Sequence, residues 1–62
     1  MRLVDFRKGQ IVIYPTNDGE VCGEVVSATY DRVQIEWETG NTSVYESNDY
    51  HDKHALNQIY LA

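Results

Sequence analysis

The chain has 62 residues, ten acidic and five basic, for a net charge of −5 at pH 7. That length allows one domain, residues 1–62, with a small core that buries roughly 60% of the surface an unfolded chain exposes. The acidic balance argues against broad binding to nucleic acid backbones, which needs clustered lysine and arginine. An acidic surface instead steers towards basic partners or imitates a polyanion.

Met1 at the start and the apolar "IYLA" at the end read as an entire small product. "MRLVDFRKG" has one short apolar pair followed by charges, unlike a secretory leader. No apolar run approaches the roughly 20 residues of a membrane span. Cys22 is the single cysteine, which excludes an internal disulfide and a cysteine-based zinc site. A reducing, cytoplasmic setting is the expectation.

After the break at "FRKG", "QIVIY" (10–14) is rich in β-branched residues and predicts a strand. "PTNDG" (15–19) predicts a hairpin turn, with Gly19 free to take a positive φ. "EVCGEVVSAT" (20–29) predicts a second strand, in which Gly23 suggests a bulge or bend. "YDR" makes a tight connection. "VQIEW" (33–37) alternates with period two, which turns Val33, Ile35 and Trp37 inward and Gln34 and Glu36 outward. "ETGN" turns and "TSVYE" (42–46) returns. "SNDYHDKH" (47–54) predicts an irregular segment with one turn of 3₁₀-helix, before a short strand near residues 57–61. No stretch carries helical periodicity over a useful length. Short strands at roughly ten-residue spacing predict an all-β, five-stranded small barrel, whose closure would hide its strand edges. Its expected core is Phe6, Val12, Val21, Val25, Ile35, Trp37, Val44, Leu56 and Ile59.

The residues Lys8-Gly9, Asp18-Gly19, Val33-Gln34-Ile35-Glu36-Trp37 and Gly40-Asn41 together resemble the SH3-like small barrels, and within them the Tudor and KOW-type modules. The resemblance covers roughly residues 6 to 61 and implies a five-stranded SH3-like (Tudor-like) barrel. Many Tudor modules hold methylated lysine or arginine in an aromatic cage, a cation against π faces. Carried over by position, that cage keeps Tyr14 as one wall and Asn41. Val21 or Cys22, and Thr39, stand where aromatics are usual. The resemblance thus implies the fold more than a methyl-mark site.

Three constellations bear on function. Tyrosines recur, and Tyr14, Tyr30 and Tyr50 sit beside turns where a rigid ring with a hydroxyl suits a contact surface. Tyr45, Tyr60 and Trp37 fit strand packing instead. "DYHDKH" places Asp49, His51, Asp52 and His54 close together, a spacing open to a metal, but with no cysteine or third histidine near; no metal is assigned. Glu36 and Glu38 bracket Trp37 and point outward, with Glu24 or Glu46 joining them if the neighbouring strands pair in the right register. Phosphate loops, nucleophile elbows and a deep pocket are missing from the sequence pattern, so neither a catalytic activity nor a cofactor is expected.

The sequence therefore predicts a non-catalytic regulatory protein that docks, as a monomer or weak dimer, on a partner protein with a basic surface. The contact residues expected are Tyr14, Tyr30, Glu36, Glu38, Asn41 and Tyr50. Analogy with small acidic proteins of phages and mobile elements extends this to inhibition of a host enzyme. Two alternatives stand beside it. One is a KOW- or Tudor-type nucleic-acid module, which needs a basic strip from Arg2, Arg7, Lys8 and Arg32. The other is an acidic mimic of nucleic acid.

Overall fold

The computed structural model describes residues 5–62; Met1 and Arg2, which entered the sequence reading, lie outside them. The fold is all-β apart from one helix. Its elements are β1 (Ile11–Thr16), β2 (Gly19–Ala28), β3 (Arg32–Trp37), β4 (Thr42–Glu46), α1 (Tyr50–Leu56) and β5 (Tyr60–Leu61). The strands form one antiparallel sheet in the order β4-β3-β2-β1-β5. Hydrogen bonding does not return from β4 to β5, so the sheet is open and the expected closure of a barrel is not made. Among the described residues no helix is long and apolar enough to cross a membrane.

One face of the sheet is the core face. Val12 of β1, Val25 of β2, and Val33, Ile35 and Trp37 of β3 are buried there. Phe6 from the leading segment, Leu56 from α1 and Ile59 complete the cluster. Alternation explains the selection: residues two apart on a strand share a face, and the register fixes which strands agree. Val12 lies opposite Gly23, Val25 opposite Ile35, and Ala28 opposite Val33. Full burial of each aliphatic side chain stabilises the fold by about 1.5–3 kcal/mol.

Two expected core residues differ from that reading: Val21 packs against the cluster but is only half-buried, and Val44 is 47% exposed and outside it. The cause at Val44 is the length of the β3–β4 turn. An inward Val44 corresponds to the four-residue "ETGN" turn, which would set Trp37 opposite Thr42 and Ile35 opposite Val44. Instead Trp37 N–H donates to the Asn41 carbonyl at 2.8 Å, and Gly40 N–H to the Trp37 carbonyl at 2.9 Å. The loop is therefore Glu38-Thr39-Gly40, with Gly40 at φ 94°, a three-residue hairpin whose last position needs glycine. This moves β4 by one residue, and every side chain changes face. Tyr45 and Ser43 turn inward, opposite Val33 and Ile35.

Gly23 does not mark the β2 irregularity, which lies between Val25 and Ser27. Its role is space. A Cβ on Gly23 would stand 2.5 Å from Trp37 Cε3 and 2.8 Å from Ile35 Cγ2. The indole of Trp37 lies across its cross-strand partner, where only a glycine leaves room.

The segment after β4 folds into a seven-residue α-helix where a single 3₁₀ turn was expected. Asp49 is its N-cap, and its carboxylate accepts from the N–H groups of His51 and Asp52 at 2.9 and 3.1 Å. Asp52 reaches back from the helix, its carboxylate accepting from Glu46 N–H at 2.8 Å. Leu56 is the helix's buried residue. A helix so short has no periodicity to reveal it, and it depends on its cap and this one apolar anchor.

Gly23→Ala should destabilise the protein by about 1–3 kcal/mol through overpacking. Urea denaturation followed by Trp37 fluorescence measures this, and an unchanged midpoint would show that the indole is free to shift.

Candidate functional site

Two concavities share Trp37 and lie on opposite faces of the sheet, at the end that carries the β1–β2 and β3–β4 turns. The first is on the outer face, which neither α1 nor the leading segment covers with the core cluster. It has a volume of about 290 Å³ and is lined by Ile11, Cys22, Gly23, Glu24, Glu36, Trp37 and Glu38. The second is an inner-face hollow of about 300 Å³, lined by Tyr14, Val21, Trp37, Thr39, Asn41 and Tyr45. Both stand at or below the roughly 300–1,000 Å³ of small-molecule pockets and are open to solvent, a shape that suits surface contact.

On the outer face, Glu24 and Glu36 are direct cross-strand partners. Glu38 follows β3 and donates its N–H to the Cys22 carbonyl at 2.9 Å, which holds it on the same end of the face. Glu20 is on this face too, where the Tyr60 hydroxyl donates to its carboxylate. Arg32 pairs with Glu46 at 3.4 Å, whereas none of Glu24, Glu36 and Glu38 has an ion-pair partner among the described residues. Apolar side chains adjoin the carboxylates: Ile11, 48% exposed, flanks Glu24 on the β1 side, and Cys22 is half-buried on this face and not part of the core. Like charges placed directly opposite on a sheet are unfavourable. Nothing in the fold among these residues requires Glu24 to face Glu36.

In the inner hollow the rings of Tyr14 and Trp37 meet edge to face, with centroids 6.0 Å apart and planes at 88°. Trp37 is only 8% exposed, and its Nε1–H donates to Ser43 Oγ at 2.9 Å. It is therefore a core residue that also forms a wall of the hollow. Tyr45 supplies a third ring. Burial raises the pKa of its hydroxyl above the ordinary tyrosine value; the Ser43 hydroxyl pulls it down, and the nearby Tyr14 and Asp52 push it up. Asn41 lies at the rim, its side-chain amide donating to Thr39 Oγ1 at 3.3 Å.

The six expected contact residues divide into three groups. Tyr14 and Asn41 come together in the hollow. Glu36 and Glu38 come together on the outer face. Tyr30 and Tyr50 are at the other end of β3: Tyr30, 87% exposed, precedes Arg32, and Tyr50, 79% exposed, opens the helix beside the β4 end where Glu46 meets Arg32. They do not join either concavity. Residues that strand patterning assigned to packing, Tyr45 and Trp37, prove to line the hollow. Ile11 and Cys22 join the acidic face. The alternation around each strand carries this information only once the turn lengths are known. Comparison with protein-family models, with curated proteins and with solved structures finds no match.

The histidines form no metal-ligating group of three or more with Asp, Glu or Cys among the described residues. Asp49 and Asp52, their neighbours in sequence, are engaged in the helix cap and the β4 contact. Arg32 is turned to β4 by Glu46, on the side of β3 away from β2, whereas Gly9 N–H ties the Arg7-Lys8 segment to Val25 of β2.

Folding holds the proton on Tyr45. Its contribution to stability is intact below the unfolded tyrosine value of about 10 and is lost as pH rises through the higher folded value. In a phenolate absorbance titration, Tyr45→Phe should remove a step above about pH 10, and it should reduce the alkaline fall in stability. A titration curve that loses only an ordinary tyrosine step contradicts this.

Proposed function

We propose that this chain is a non-catalytic binding domain that docks a basic surface of a partner protein on the open, acidic face of its sheet. The observation that carries the reading is the direct opposition of Glu24 and Glu36. Two carboxylates in that arrangement cost about 0.2–1 kcal/mol relative to a neutral pair. A lysine or arginine of a partner converts that cost into an attraction, and Glu20 and Glu38 extend the field around it. Ile11 and Cys22 supply apolar contact at the centre of the patch.

The inner hollow fits the same partner class. Faces and edges of Tyr14, Trp37 and Tyr45 border it, and a cationic side chain is attracted to aromatic faces. The cage that the Tudor resemblance implies is incomplete by position, but Tyr45 from β4 adds a ring that the positional comparison does not include. The strand order, the short helix before the final strand and the Gly40-Asn41 turn support reading the fold as an SH3-like relative of the Tudor and KOW modules. For a nucleic-acid module the support is weaker, because Arg32 is paired with Glu46 and the open face is acidic. A nucleic-acid mimic would use the same carboxylates, and its partner's nucleic acid would compete for it.

Glu36→Lys combined with Glu38→Lys separates stability from binding. It replaces the opposed pair by Glu24 facing a lysine, so stability should hold or rise by about 0.2–1 kcal/mol. Capture of the partner from native cell extract by the tagged protein should nevertheless fall sharply. Undiminished capture by the folded variant would sink the acidic-face reading.

A further inference from the structure

Among the described residues, strand order leaves β4 unpaired on the side away from β3. The direction of its backbone groups follows from the turn. Trp37 bonds to Asn41, so the inward-bonding pairs continue as Ile35 with Ser43 and Val33 with Tyr45. Backbone groups alternate sides along a strand, which turns the N–H and C=O of Thr42, Val44 and Glu46 outward. Glu46 is already satisfied: its N–H donates to Asp52 Oδ2 at 2.8 Å and its carbonyl accepts from Asp49 N–H at 3.3 Å. The outward groups of Thr42 and Val44 have no such partner among the described residues.

Edge strands are ordinarily protected by lysine, proline, a bulge or a covering segment. "TSVYE" has neither lysine nor proline, and its register with β3 runs without interruption from Arg32↔Glu46 to Glu36↔Thr42. Only the Glu46 end is covered. We propose that the Thr42–Val44 edge is a strand-addition site for an extended basic segment of a partner protein. This deepens the docking reading above and rests on it.

Charge selects the occupant. Beside this edge, Glu36 is the β3 partner of Thr42 and Glu38 begins the turn, and neither has an ion-pair partner among the described residues, whereas Glu46 is paired with Arg32. An added strand would send alternate side chains to the outer face beside Val44, and to the inner face beside Ser43 and Tyr45, next to the aromatic hollow. A second copy fits poorly. A two-fold pairing centred on Val44 sets Thr42 of one copy opposite Glu46 of the other, whose backbone groups are taken, and it joins two chains of charge −5.

The test uses the labelled full chain and an acetylated, amidated hexapeptide of alternating lysine and valine, with its fully N-methylated form as control. On binding the parent peptide, the amides of Thr42 and Val44 should shift in NMR spectra, and their solvent exchange should slow. N-methylation, which removes the peptide's N–H groups and keeps its charge, should weaken binding by about tenfold or more. Val44→Pro should do likewise, because it deletes an outward N–H without costing a bond to β3. If that variant does not fold, the N-methyl comparison decides. Equal affinity of the two peptides overturns the proposal, as does failure of the parent to bind at millimolar concentration. Shifts confined to Ile11, Glu24 and Glu36 overturn it while leaving the acidic-face reading standing. Sedimentation showing a dimer that Val44→Pro abolishes also overturns it, by giving the edge to a second copy.

Discussion

The packing of Trp37 over Gly23 is the contact on which the rest of the arrangement depends. The indole needs the missing Cβ of its cross-strand neighbour to lie flat enough to be buried. Once there, it touches Ile35 beside it, donates to Ser43 on β4 and receives the edge of Tyr14 from β1. One side chain thus joins four strands. It also shapes the surface, since Trp37 borders the hollow on the inner face and its strand position lies between Glu36 and Glu38, which line the outer concavity. A residue of the core thus also borders the surface, and the concavities beside it inherit the rigidity of the core.

The two faces of the sheet divide the work. The inner face carries nearly all the apolar area that the fold can bury, and α1 and the leading segment cover its far part. The outer face holds the alternate residues, some of them tied to one another, such as Tyr60 to Glu20 and Arg32 to Glu46. The Glu24–Glu36 opposition lies there, a like-charged pair that contributes nothing favourable to the sheet. Strength of docking there would come chiefly from desolvated apolar contact at Ile11 and Cys22. The carboxylates would govern encounter rate and choice of partner.

Much of the strand pattern is legible in the sequence, because "VQIEW" alternates cleanly and β-branched residues cluster in β1 and β2. The inward set Val12, Val25, Val33, Ile35 and Trp37 follows from that alternation. What alternation does not contain is turn length. "ETGN" serves as well for a four-residue loop as for a three-residue one that ends at Gly40, and the choice between them exchanges Val44 for Tyr45 on the inner face. The third ring of the hollow was hidden by that ambiguity. The pairing of Glu24 with Glu36 was hidden in the same way, since facing across strands is a property of register. The helix escaped because its signal is a cap at Asp49 and a single buried leucine, with too few residues for a period.

The order of the strands has a kinetic meaning. β1 to β4 form a meander in which every strand pairs with its neighbour in sequence. Those contacts close short loops and can form early. Among the strand pairings only β1 with β5 joins distant parts of the chain, through Tyr60 and Leu61 against Ile13 and Val12. That pairing must wait for most of the chain to be placed and is the first to release when the ladder frays. The outer edge of β1 is therefore guarded by the shortest pairing in the sheet, which ends on the bond from Ala62 N–H to the Ile11 carbonyl, so a fusion or tag attached after Ala62 would bear directly on that edge.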